Sequence, residues 1–103
     1  MCETIDFGAT FERLAREQQR EVTVEAGGVN VRLVHVTGGG KGQWDSHAHT
    51  TETAVVWSGD LTVEFRGHAL PLSKGPCCVI PVGAEHRGTS CNGAEVVLFQ
   101  QAR

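Results

Sequence analysis

From residue 20 onward the chain is built of short runs in which apolar and polar residues alternate, each closed by a turn. This period-two rhythm limits the fold more than any other feature, because it suits strands that bury one face. "REVTVEA" (20–26) alternates, "GG" (27–28) turns the chain, and "VNVRLVHV" (29–36) alternates again, which predicts a hairpin. "TAVVW" (53–57), "LTVEF" (61–65), "ALPL" (69–72), "CCVI" (77–80), "HRGTSC" (86–91) and "AEVVLFQ" (94–100) follow. Between them lie "SGD", "RGH", "SKGP", "PVGAE" and the strong hairpin turn "NG". About nine short strands at regular spacing predict an all-β sandwich or barrel. "TGGGKG" (37–42) is a loop without the GK[ST] of a phosphate-binding loop.

Ahead of the strands, Phe7, Phe11, Leu14 and Gln18 keep the spacing of one helical face. A short helix over 8–19 is predicted, with Asp6 as its N-cap and Arg13, Arg16 and Arg20 on the solvated side. A length of 103 residues suits one domain. Within it, residues 1–28 supply the helix and first strand, and 29–103 the barrel.

The net charge of −3 lacks the basic footprint of a nucleic-acid binder. No apolar run approaches the roughly 18 residues of a membrane span. The N-terminal stretch is polar and has no apolar signal core, so a cytoplasmic location is expected. In a reducing compartment Cys2, Cys77, Cys78 and Cys91 are expected as free thiols.

The chemistry concentrates in "WDSHAHTTET" (44–53). If that stretch is extended, His47 and His49 share a face and can reach one ion. Glu52 breaks the parity and joins them only if Thr50 and Thr51 form a turn or bulge. "PVGAEH" brings His86 in from far along the chain, just after a tight turn. Three imidazoles and a carboxylate suit Fe(II), Mn(II), Ni(II) or Zn(II). The competing reading is a solvated polar loop, and Asp45 is a further candidate in place of either histidine. His35 shares a strand face with Val31 and Leu33, so an inward-pointing, hydrogen-bonded histidine is expected; His68 lies in a surface turn.

These motifs resemble those of the small single-domain cupins, jelly-roll β-barrels with the pattern G-x5-HxH-x3,4-E-x6-G followed by G-x5-PxGxxH-x3-N. Glu52 to Gly59 fits the end of the first motif, and Gly75, Pro81, Gly83 and His86 fit the second. The resemblance spans about 29–99. Three positions depart from it. Only two residues separate His49 from Glu52, Lys41 stands six before His47, and Ser90 replaces the final Asn. A second alignment puts Asp45 and His47 in the two His places, with four residues separating His47 from Glu52. The resemblance implies one divalent metal held by His47, His49, Glu52 and His86. It implies a small oxygen-bearing ligand at that ion, bound for catalysis as in metal-dependent dioxygenases, isomerases or decarboxylases, or for sensing without turnover. Asp45, Cys78, His35, Val56 and Ser90 are its candidate pocket residues. A homodimer is expected, through an apolar patch of Val55 and Trp57 on the outer face of one strand. Cover of that patch by the N-terminal helix is the alternative.

Overall fold

A computed structural model describes residues 3–102. Helix α1 (Phe7–Arg16) starts where Asp6 Oδ1 accepts the Ala9 N–H at 3.0 Å. It ends earlier than the spacing predicts. Gln18 turns left-handed (φ 56°), and the N–H groups of Gln19 and Gln18 close onto the Leu14 and Ala15 carbonyls. The polar run after Arg16 has no apolar side chain to extend the buried stripe.

Eight strands follow where about nine are expected: β1 (Glu21–Ala26), β2 (Val29–Val36), β3 (Glu52–Gly59), β4 (Leu61–Phe65), β5 (Ala69–Leu72), β6 (Cys77–Ile80), β7 (His86–Thr89) and β8 (Ala94–Gln101). All strand pairs are antiparallel. One sheet runs β1-β2-β8-β3-β6 and the other β5-β4-β7. Sequence neighbours β3 and β4 therefore lie in different sheets, as in a jelly roll. The β1–β2 hairpin turns on Gly27 and Gly28, both at positive φ. The passage from β3 to β4 needs Gly59. Its φ is +84°, and a Cβ there would run into the Gly93 carbonyl. Pro71 sits in edge strand β5, where its missing N–H costs no central ladder bond.

Strand parity creates two cores. Ala54, Val56, Leu61, Val63, Ile80 and Val96 fill the space between the sheets. On the other side of the five-stranded sheet, Phe11 and Leu14 of the helix pack on Val31, Leu33 and Val97. This arrangement corrects the expectation for His35. The face it shares with Val31 and Leu33 looks toward the helix, and His35 ends that row exposed. Arg32, Val34 and Val36 are the β2 residues that face the interior.

Cys77, Cys78 and Cys91 are free, and Cys2 lies outside the described residues. Cys78 is 6% exposed. Burial, helped by neighbouring Cys77, pushes its thiol above the ordinary 9.0. Native protein is therefore expected to take iodoacetamide at exposed Cys77 and Cys91, and at Cys78 only after unfolding, as read by fragment-ion mapping. The same shift makes the folded state lose stability as pH rises through 9.0, because the unfolded thiol releases its proton first.

Candidate metal centre

Residues 41–47 lie as a strap along β7. Asp45 and His86 exchange both backbone hydrogen bonds at 2.9 Å, Gly42 N–H donates to Gly88 O at 2.9 Å, and Gly83 N–H donates to His47 O at 2.8 Å. Trp44 pins the strap from above. The guanidinium carbons of Arg66 and Arg87 lie 3.9 and 4.6 Å from its ring centre. Arg87 is itself held by Glu64 at 3.0 Å, and that hydrogen bond holds the Glu64 carboxyl below its ordinary range. Glu64 and Arg66 thus brace the strap from β4 and the turn that follows it.

At residues 48–49 the chain bends, which breaks the alternation that would put His47 and His49 on one face. Thr50 is then anchored by the Gln100 side chain, which donates to its Oγ1 at 2.7 Å. The bend and anchor deliver Glu52 to the start of β3, buried at 4% exposure. Its Oε1 lies 3.4 Å from His47 Nε2 and 3.5 Å from His86 Nε2. The three groups offer ligand atoms that all lie within 4.8 Å of one another.

The arrangement fits a cation between them. His86 Nδ1 faces the Ala84 carbonyl at 2.9 Å. A carbonyl only accepts, so Nδ1 carries a proton, and Nε2, which faces the carboxylate, is the ring nitrogen left to bind an ion. His47 Nε2 is buried with no hydrogen-bond partner. Contacts of 3.4–3.5 Å are long for hydrogen bonds. They resemble the roughly 3.0–3.4 Å between ligand atoms set about 2.1 Å from a shared ion at octahedral or tetrahedral angles.

The other candidates fall in different places. His49 is exposed and outside the cluster. Asp45 borders the cavity beside His86, its carboxylate accepting the Ser46 N–H at 2.8 Å. Like His49, Asp45 is exposed and lies outside the cluster. His35 reaches only the cavity's rim side of β2. Val56 and Cys78 are packed into the core between the sheets, not onto the cavity wall. Buried Ser90 serves its turn, its Oγ accepting the Gly93 N–H at 2.9 Å.

The cavity measures about 730 Å³ and lies between the two sheets. Glu52 and His86 stand on its wall among Val34, Leu61, Val63 and Leu98. Arg32 joins them, on the β2 face opposite the one that carries His35. The alternation of β2 points to Arg32 once that face is taken as the inner one.

The cupin domain family model matches residues 32–99, which include the whole cluster. The chain belongs to the cupin family. Among solved cupin structures, it superposes on a cupin-2 domain protein from Shewanella frigidimarina at TM-score 0.82 and 27% identity, covering 95% of this chain and 94% of that one. A Neisseria meningitidis protein gives TM-score 0.82 at 24% identity, over 97% and 100% of the two chains. A sugar phosphate isomerase of the cupin superfamily from Silicibacter pomeroyi gives 0.69 at 17%, over 81% and 59%. No curated protein sequence matches the chain significantly. Among the described residues, no helix is long and apolar enough to cross a membrane.

Proposed function

We propose that this cupin holds one divalent transition metal through His47, Glu52 and His86 and presents it to a small oxygen-bearing molecule in the cavity. The observation that carries the reading is the buried, partnerless Nε2 of His47, directed with that of His86 at one carboxylate oxygen. Two imidazoles and a carboxylate suit Fe(II), Mn(II), Ni(II) or Zn(II) and leave coordination positions for a ligand. Bound there, the ion would polarise a ligand oxygen as a Lewis acid or bind O₂.

The chain's own residues do the rest. The Ala84 carbonyl fixes the tautomer and direction of His86. Aliphatic β2, β4 and β8 side chains keep water from the ligand's body. Asp45, beside His86, is the nearest group able to take or give a proton. Whether the ligand is turned over or only sensed separates an enzyme from a binding module. The likeness to the Silicibacter isomerase is one of fold and assigns no substrate. We propose in addition a cytoplasmic homodimer, as the sequence leads one to expect. The proposed contact is the outer face of β3, where Trp57 is 41% exposed and Val55 half-buried. Phe7 of the helix already covers Trp57 in part, ring centres 5.7 Å apart.

Elemental analysis of protein purified without chelators is expected to give about one transition metal per chain, removable by a strong chelator and restored by adding the ion back. Protein that carries no metal and takes up none would end this reading.

A further inference from the structure

Arg32 sits in the cavity with no adequate partner. Its Nε is buried without a hydrogen bond, and its Nη2 lies 3.8 Å from Glu52 Oε2, beyond hydrogen-bond length. The neighbouring wall is aliphatic, with Val34 beside it on β2 and Leu98 directly across on β8. A guanidinium presents five donors and stays charged; the Arg32 side chain is 34% exposed, so water reaches part of it, but the buried Nε lacks an acceptor, which is costly. Other cations border the cavity, but Arg20 and Lys41 are exposed, and Arg87 is bound to Glu64.

Glu52 is the one charge within reach, and it is shared. Its Oε1 faces the two imidazoles and its Oε2 faces Arg32. A cation drawing on Oε1 takes up that negative charge and leaves Arg32 without a counterion. A divalent ion brings more positive charge than Glu52 supplies, so the ion and Arg32 together favour an anion beside the coordination site, at the edge of an aliphatic chamber.

We infer that Arg32 determines specificity by binding the carboxylate of a small aliphatic monocarboxylic acid, one with a second oxygen next to the carboxylate that points to His47, Glu52 and His86. The planar guanidinium matches a carboxylate with two parallel hydrogen bonds. The aliphatic wall beside Arg32 suits a hydrocarbon body on that anion, which a carboxylic acid has and inorganic phosphate lacks. This inference rests on the metal reading above.

The test uses zinc-loaded full-length protein, with zinc content measured first, and titrates 2-hydroxy-3-methylbutanoate, its neutral amide and inorganic phosphate by calorimetry. The acid is expected to bind at least about tenfold tighter than the amide, a comparison that needs no variant. Arg32→Gln is expected to weaken the acid about 10–100-fold with zinc content unchanged, and Arg32→Lys to restore only part of it. Lys41→Gln is expected to stay within about twofold, as an exposed charge should. Acid affinity within twofold of the unaltered protein in Arg32→Gln, equal binding of acid and amide, tighter binding of phosphate, or no binding of the acid would each overturn the inference while the metal reading stands. Unaltered protein that takes up neither zinc nor Fe(II), Mn(II) or Ni(II) would remove both.

Discussion

His86→Ala is expected to leave the purified protein nearly free of metal, with affinity lower by at least about 100-fold. Loss of a mere supporting partner already costs 10–100-fold, and this change removes a ligand atom that stands 3.5 Å from Glu52 Oε1. Only one imidazole and one carboxylate would remain. His47→Ala should act alike, because His47 Nε2 is the buried atom that has no other partner. His49→Ala is the informative control. His49 is exposed and outside the cluster, so metal content should not change. Each variant should keep its far-ultraviolet circular dichroism, which separates metal loss from unfolding. If His49→Ala lost metal as fully as His86→Ala, the bend at 48–49 would have to reorganise around the ion, restoring the HxH pair.

The second large effect concerns stability. Leu33→Ala is expected to cost about 2–5 kcal/mol, the range for emptying a fully packed aliphatic site. Leu33 is 0% exposed and lies between Phe11 and Leu14 of the helix and Val31 and Val97 of the sheet. In a domain of this size such a loss is a large part of the usual 5–15 kcal/mol and lowers Tm by roughly 10 °C or more. Urea unfolding should show a lower midpoint at unchanged slope. Leu70→Ala, on a side chain 41% exposed, should change stability by no more than about 0.5 kcal/mol. A cost below about 1 kcal/mol for Leu33→Ala would mean that the helix contributes little cover to the sheet.

The strands were readable because period-two alternation is a local property. β2, β4, β5 and β6 fall where their runs predict, and Glu52, Ala54 and Val56 turn inward together. The motif around Gly75, Pro81, Gly83 and His86 was readable for a related reason. A positive φ at Gly75 and Gly83 is a demand that a single residue type meets best. Alternation does not say which of a strand's two faces is the inner one. On β2 both faces are covered, one by the helix and one by the opposite sheet. His35 was accordingly given the inside and Arg32 was missed.

The stretch from Trp44 to Thr53 shows where local reading ends. Its residue types announce a polar site. Their partnership depends on a bend at 48–49, on Gln100 holding Thr50 and on Arg66 and Arg87 clamping Trp44, contacts made across up to fifty residues of sequence. The sequence by itself determined an all-β cupin barrel and four candidate ligands, His47, His49, Glu52 and His86. Only the tertiary structure decided that His47, Glu52 and His86 converge while His49 turns away, and that Arg32 stands beside them. Side-chain direction in a strand follows from neighbouring residues, whereas the meeting of groups from four separate segments is set by how the sheets close on one another.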